Sequence, residues 1–306
     1  SPNPVHHEPA SPIATTPPPI ATTTPPTQPT PPTPTLPPGE CDPYRDLEDR
    51  RGGEHLLPAH PSKPADYRGG GRLRTHIDGD LDAGKQRIWI GPPVPAFVPL
   101  TEATAELFLL DRDGDTFVAT YRAPYESGSC PLYDARNATN CEYHVKAFDK
   151  CGAPLWSVHL NTFFSRRDHI ELQDIHHEAG VLYFNEACQS YSREAGGKCS
   201  ALVAIDPRAG KLLWRTPHLR SNGEFILHMD YLVSIYGFSG GEKPYVHVIR
   251  KRDGKVLIRK RIENANWDLQ IHPDGHLQTA AFGPRSIHYT MIGWDTGKPV
   301  LEYAHD

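Results

Sequence analysis

The sequence lacks several features that would assign a function at once. It has no stretch approaching the ~18 consecutive apolar residues that a membrane-spanning helix needs. It has neither the glycine-rich phosphate-binding loop nor the glycine fingerprint of dinucleotide-binding folds. Its net charge of −5 is small and spread along the chain, which argues against nucleic acid as the main partner. These absences point away from nucleotide-dependent enzymes and nucleic-acid-binding proteins.

The first 39 residues differ from the rest of the chain. They contain 15 of the 32 prolines and nine threonines, with Glu8 as the only formal side-chain charge. Such a segment lacks the apolar area needed to offset chain entropy and favours the extended polyproline II conformation. We therefore predict a disordered stalk or arm over residues 1–40 and a folded domain over residues 41–306. The stalk is either a passive, O-glycosylated spacer or an arm that orders against a partner or a neighbouring subunit.

The folded part contains an internal repeat. Residues 144–156 (HVKAFDKCGAPLW) and 202–214 (LVAIDPRAGKLLW) both show a strand, an Asp-to-Gly turn and a second strand carrying Trp four residues after the Gly. The Asp side chain can cap the turn and the Gly supplies the positive φ, while the Trp is expected between packed sheets. Two degenerate copies follow, with turn glycines at 254 and 297.

The spacing of the repeat predicts the architecture. The turn glycines at 210, 254 and 297 are 44 and 43 residues apart, a period that suits one four-stranded propeller blade. A second strand pair precedes each hairpin, and no segment has the periodicity of an amphipathic helix. We predict an all-β fold, a small β-propeller of antiparallel blades. Four blades are clear, and residues 54–100 supply either a fifth blade or strands that close the ring.

The run 201–214, with its ValAlaIleAsp and GlyLysLeuLeuTrp motifs, resembles the repeat of PQQ-like propellers. That family includes quinoprotein dehydrogenases and the BamB-type scaffold of outer-membrane assembly. The resemblance covers roughly residues 104–303 and is strongest in this one repeat. It implies a propeller. We do not expect PQQ as a cofactor, because the quinoprotein enzymes of this family are much longer, eight-bladed rings with adjacent cysteines near the cofactor. This chain has no adjacent cysteine pair.

The cysteines recur at one position of the repeat. Cys130 and Cys141 are 11 positions apart, as are Cys188 and Cys199, and each second cysteine lies 11 residues before a turn glycine. Neither pair has the two-to-four-residue spacing of zinc thiolates. We predict Cys130–Cys141 and Cys188–Cys199 disulfides that bracket equivalent loops. The remaining Cys41 and Cys151 form either a third bridge at the base of the stalk or, through Cys41, a bond to another molecule.

Histidines supply the candidate ligand site. His176, His228 and His272 are aligned at one repeat position, each with an acidic residue two positions later. Asp111 falls at the same position of the preceding blade, and His76 heads a similar motif. A ring of imidazoles around the propeller axis could bind a transition metal. The alternative is that the repeat copies a solvated turn histidine with no function, and His177 competes with His176 for the register.

The sequence thus favours an extracytoplasmic binding or assembly scaffold, not an enzyme. Its disulfides indicate an oxidising compartment, and Ser1 as first residue fits removal of a secretion signal. The sequon Asn137-Ala-Thr139 suggests a glycoprotein. The expected partner is a protein or a cell-surface or filament component, including self-association through the arm. A metal-binding protein or metal-dependent enzyme is the alternative, and a quinone-dependent oxidoreductase is less favoured.

Overall fold

The computed structural model of the chain describes part of the folded region, all of it within one compact unit, Leu36–Asp306. The predicted stalk, residues 1–40, lies outside the described residues. Those described are residue 41 and residues 74–77, 89–90, 94–124, 141–167, 169–189, 191–193, 195–237, 242–262, 266–271, 277–282, 287–295 and 298–304.

The fold is all-β, as predicted, and its strands form four antiparallel sheets in chain order. The first sheet contains β1 (Arg74–Ile77), β2 (Trp89–Ile90), β3 (Thr101–Glu102), β4 (Ala105–Asp113), β5 (Thr116–Pro124), β6 (Cys141–Asp149) and β7 (Pro154–His159). The second contains β8 (Ile170–Glu171), β9 (Ile175–Glu178), β10 (Val181–Cys188), β11 (Ala201–Asp206) and β12 (Lys211–Arg215).

The last two sheets are four-stranded meanders. The third contains β13 (Phe225–His228), β14 (Tyr231–Tyr236), β15 (Tyr245–Arg250) and β16 (Val256–Arg261). The fourth contains β17 (Asn266–Ile271), β18 (Leu277–Phe282), β19 (Ile287–Asp295) and β20 (Lys298–Ala304). One 3₁₀ turn, Leu160–Phe163, follows β7. Within the described part of the chain, the search for a helix long and apolar enough to cross a membrane finds none.

The repeat hairpins have the predicted turn chemistry. The Asp149 carboxylate accepts hydrogen bonds from the backbone N–H groups of Cys151 and Ala153, at 2.9 and 2.8 Å. Asp206 accepts equivalent bonds in the second sheet, from Arg208 and Ala209. Gly152 lies at φ 86°, in the region that an L side chain avoids.

The core lies between consecutive sheets. Leu109 of the first sheet and Phe184 of the second share one buried cluster, and Leu202 of the second and Ile249 of the third share another. Trp214 docks on the third sheet by donating from Nε1 to Lys251 O at 2.7 Å. Its ring leaves no space for a side chain at Gly254, where a Cβ would lie 2.6 Å from it. The repeated Trp is therefore an inter-sheet contact, as predicted.

The segment before the first repeat does not form a separate unit in the described residues. β1 pairs with β4, with His76 opposite Leu109, and β2 pairs with β1. The short strands therefore extend the first sheet. In the described part of residues 54–100 there is no fifth blade, because β1 pairs with the edge of β4 and β2 pairs with β1.

Two predicted disulfides are confirmed. Cys188 is bonded to Cys199 across the loop between β10 and β11. Cys41 is bonded to Cys151 in the β6–β7 turn, which ties the end of the proline-rich segment to the first sheet. Cys141 is also disulfide-bonded. Its predicted partner, Cys130, lies outside the described residues, as does the sequon at Asn137.

Candidate functional site

The predicted histidine position leads to a buried polar cluster where the first three sheets meet. His176 of β9 is only 2% exposed, and Asp111 of β4 and Asp174 before β9 are each 1% exposed. The His176 Nε2 atom lies 2.9 Å from Phe225 O and 3.2 Å from Asp174 Oδ2. Since both of those atoms are acceptors, Nε2 carries the proton and donates to them. Nδ1 then faces Asp111 Oδ2 at 3.8 Å.

Asp174 is the centre of this cluster. One carboxylate oxygen accepts from the Ile175 N–H at 2.9 Å, and the other accepts from the Phe225 N–H at 2.8 Å. Asp174 N donates to the Asn185 side chain at 2.9 Å, and Asn185 Nδ2 donates to Gly223 O at 2.6 Å. The hydrogen-bonding capacity of this buried carboxylate is therefore used within the fold. The cluster therefore fixes the second sheet to the start of the third.

The same cluster reaches back to the first sheet. Asp111 Oδ2 lies 3.4 Å from the His177 N–H, and Asp113 Oδ2 lies 3.0 Å from His177 Nδ1. Asp113 also accepts from the Ala179 N–H at 3.2 Å. The carboxylates of Asp111 and Asp113, at the end of β4, therefore contact the β9–β10 hairpin of the neighbouring sheet. Chemically, the arrangement is a set of polar contacts that join neighbouring sheets.

A buried carboxylate lies further along β10. Glu186 is fully buried, and its carboxylate accepts from Arg215 Nη2 at 2.8 Å and from the Ser165 N–H at 2.6 Å. The Ser165 hydroxyl adds a third hydrogen bond at 3.0 Å. Because a lone buried carboxylate is costly, these donors are what permit Glu186 in an apolar strand.

The predicted equivalence of His176 and His228 is wrong by two residues. In the second sheet Val181 pairs with Glu178 at the hairpin turn, and in the third sheet Tyr231 pairs with His228. His228 therefore corresponds to Glu178, while His176 corresponds to Ile226. The sequence alignment relied on the acidic residue two positions after each histidine. In the structure, the strand register is set by the residue that closes each two-residue turn.

The two histidines also differ in environment. His228 is half-buried beside Lys251, and burial together with that positive charge lowers the pKa of its imidazole. His176, in contrast, has a carbonyl and a carboxylate as partners. His272 lies outside the described residues, and for His76 the strand but not the side chain is described. In the part that the structure describes, no group of three or more His, Cys, Asp or Glu side chains is arranged to hold a metal. The metal-ring hypothesis thus stays a prediction.

The carboxyl group of Glu171 behaves differently. Glu171 of β8 is half-buried and accepts a hydrogen bond from Gln173 Nε2. Burial raises the pKa of its carboxyl group to about 8, although the nearby Arg122 charge and the Gln173 bond act in the opposite direction. Glu171 therefore holds its proton to higher pH than an ordinary glutamate does. A carboxyl with a pKa raised toward neutrality is suited to proton transfer, but no described nucleophile or second acid is hydrogen-bonded to it.

Sequence reasoning missed most of the cluster. The repeat did not point to Asp174, Asn185 or Glu186, because these residues do not recur at equivalent positions in the other copies. The signal was present in β10, where Asn185 and Glu186 interrupt an otherwise apolar strand. Polar residues inside a fully buried strand need partners, so they mark polar contacts between sheets.

Comparisons with known proteins identify no family. No protein-family model matches the chain, and no characterised protein sequence matches it. Among solved structures, the computationally designed Ika4 protein aligns at 10% identity and TM-score 0.34, over 63% of this chain and 88% of that one. BamB from Moraxella catarrhalis aligns at 12% identity and TM-score 0.24, over 58% of this chain and 76% of that one. At these values the likenesses assign no function, and the chain remains an all-β protein of antiparallel sheets.

Proposed function

We propose that this chain is an extracytoplasmic binding or assembly protein, with its sheets arranged as the blades of a small propeller on a Pro/Thr-rich stalk. It would engage a protein, either on a cell surface or in a filament. The proposal rests on one observation, the exposure of apolar side chains on the outermost strands of the second and third sheets.

Those strands carry leucines that face solvent. Leu212 and Leu213 of β12 are 41% and 44% exposed, and Leu257 of β16 is 38% exposed. Both strands lie at the end of their sheets, with one backbone edge unpaired in the described structure. Soluble proteins usually protect such edges with charge or proline, because an open apolar edge can pair with another chain. Lys211 on β12 and Arg259 and Lys260 on β16 supply charge here, and the exposed leucines lie beside them. Adjacent leucines on an open edge are what a strand-adding partner would recognise.

The order of the sheets supports the propeller part of the proposal. Each sheet follows the previous one in the chain, and neighbours pack through Trp214 on Gly254 and through the Asp174 cluster. A ring of such sheets leaves the fourth strand of every blade on the outside. The exposed leucines would then lie on the rim, where a partner has access.

The disulfides support the location. Bridges such as Cys41–Cys151 and Cys188–Cys199 persist in oxidising compartments and are rare in the cytosol. Covalent attachment of residue 41 to the first sheet would also keep the base of the stalk fixed while the stalk sets the reach.

The proposal can be tested with charge substitutions on the rim. Leu213→Asp combined with Leu257→Asp should abolish capture of the partner from the native envelope or medium, or dissociate a self-assembly seen by light scattering. Lys255→Asp is the matched control, since it places the same charge on an exposed residue next to β16. Since all three side chains are exposed, folding should be unaffected. A wild-type protein that stays monomeric and captures nothing would contradict the proposal.

A further inference from the structure

Two histidines face each other at the outer edge of the first sheet. His144 of β6 is directly opposite His159 of β7, and β7 is the last strand of that sheet. Their imidazole rings are stacked, with centroids 4.5 Å apart and planes only 6° from parallel. The rings themselves are therefore in contact, in addition to the pairing of their backbones.

The backbone holds this pair at a position of close approach. The Tyr143 N–H donates to the Asn161 side chain at 2.7 Å, beyond the end of β7, so it points to the β7 side of β6. Because successive N–H groups of a strand point in opposite directions, the His144 N–H points to the β5 side. His144 and His159 thus form a non-hydrogen-bonded pair, in which the Cα atoms of an antiparallel ladder are only about 4.5 Å apart.

The ring nitrogens of both histidines lack a protein partner in the described part of the chain, where no residue forms a hydrogen bond or an ion pair with either imidazole. Lys146, the next residue on the same face of β6, is paired with Glu102. His159 is exposed and His144 is half-buried, so solvent reaches the pair. In contrast, His176 is enclosed by its carbonyl and carboxylate partners. The lone pairs of the two stacked rings are therefore available to a ligand.

The surroundings keep the pair in its neutral form. Burial, followed by the charges of His159 and Lys146, lowers the pKa of the His144 imidazole. Two imidazoles in contact also cannot both take up a proton without repulsion. The neutral imidazole is the form that binds a metal ion, because the ligating nitrogen must carry a lone pair. The pair therefore needs little or no deprotonation to become a ligand at neutral pH.

A small rotation converts the stacked pair into a chelate. Imidazole nitrogens lie about 2.0–2.1 Å from Zn²⁺, so two of them on one tetrahedral ion are about 3.3–3.4 Å apart. Parallel rings with centroids at 4.5 Å must then tilt toward each other on one side. The energy profile of the histidine χ2 torsion is broad, so such a tilt costs little, and the exposed ring of His159 has room for it.

We propose that His144 and His159 form a two-histidine site for a divalent transition metal ion of the class that imidazole suits, Cu²⁺, Ni²⁺ or Zn²⁺. Two protein ligands leave the other coordination positions open to water, unlike a structural zinc site with four. The site shares no residue with the predicted histidine ring. It lies at the edge of the first sheet, whereas the rim leucines lie on β12 and β16, so it does not depend on the proposed partner interface.

The test titrates the full chain, first freed of metal by a chelator, with Cu²⁺, Ni²⁺ and Zn²⁺ in separate calorimetric experiments. The wild type should bind all three, and Cu²⁺ most tightly. One site per chain should be weakened at least about tenfold in His159→Asn and in His144→Asn, since loss of a residue that merely supports a ligand already costs about 10–100-fold. His169→Asn is the matched control, because His169 is exposed and its φ of 60° is one that Asn tolerates.

The Tm separates metal binding from simple stacking of the rings. Zn²⁺ should raise the Tm of the wild type above its value in chelator, since a ligand that binds only the folded state stabilises it. His159→Asn should lose this rise whatever its own Tm in chelator, and His169→Asn should keep it. Because His159 is exposed, that variant keeps the test valid even if His144→Asn does not fold. An equal metal-dependent rise in the wild type and His159→Asn would overturn the proposal, as would an equal rise with Mg²⁺, which prefers oxygen ligands.

Discussion

Two polar regions of this protein carry their charge in different surroundings. At the Asp174 cluster, the buried carboxylate accepts from backbone N–H groups and an imidazole, all from the chain itself. On β16, in contrast, Arg259 is exposed to solvent and stacks on Tyr245. The first charge depends on partners within the fold, whereas the second lies where water reaches it.

The largest effect on stability is expected from replacing Asp174, the centre of the buried cluster. Asp174→Ala leaves the Ile175 and Phe225 N–H groups without acceptors and takes the carboxylate from His176. We expect a loss of about 3–5 kcal/mol in the free energy of unfolding, because breaking a buried polar network strands its partners. Urea unfolding measures it. Asp115→Ala, which removes only an exposed ion pair with Lys150, is the control and should cost under about 1 kcal/mol. A similar cost for both variants would show that the Asp174 cluster stabilises the fold no more than an exposed ion pair does.

A second test addresses the apolar contact between the second and third sheets. Trp214→Ala should cost about 2–4 kcal/mol, since the indole packs on Gly254 and donates to Lys251 O. Gly254→Ala should be destabilising by about 1–3 kcal/mol, because φ is 68° and the new Cβ would meet the indole.

The double mutant of Trp214 and Gly254 then isolates the contact. With the indole absent, the alanine methyl at position 254 has space, so the combined loss should be about 1 kcal/mol or more below the sum of the single losses. Simple additivity in chemical denaturation would show that the two residues do not contact each other in solution.

The smallest effect on stability is expected at Glu171, where the carboxyl group responds to burial by holding its proton more tightly. Its carboxyl pKa is raised to about 8, above the unfolded value, so the folded state holds a proton that the unfolded state releases. The wild type should therefore lose stability as pH rises from about 4.5 to about 8, by on the order of 1 kcal/mol after solvent screening. Glu171→Gln should lack this slope. Parallel pH profiles for the two proteins would show that Glu171 is charged at neutral pH.

Much of the fold was predictable because it depends on local chemistry. Asp149 and Asp206 cap their turns through neighbouring N–H groups, and Gly152 adopts the positive φ that the turn needs. The spacing of Cys188 and Cys199 follows from the hairpin that they close. Such features are encoded within about ten residues, so a repeat reveals them.

The polar clusters were not predictable, because their members come from distant parts of the chain. His176 meets the carbonyl of Phe225, 49 positions away, and His177 meets Asp111, 66 positions away. The sequence aligned His176 and His228 at one repeat position, but the register of β9 and β13 makes them non-equivalent. His247, in contrast, was detectable as the one histidine in the apolar strand YVHVIR.

The Cys41–Cys151 bond has a mechanical consequence. It closes a covalent loop across a separation of 110 residues, and Cys151 lies in the β6–β7 turn. Tension applied to the chain before Cys41 enters the first sheet at that turn through the sulfur bridge. The covalent path bypasses the residues inside the loop, so a pull on the chain before Cys41 does not run along the backbone of β4 and β5 while the bond is intact. Reduction would instead place the whole intervening chain in the path of the force.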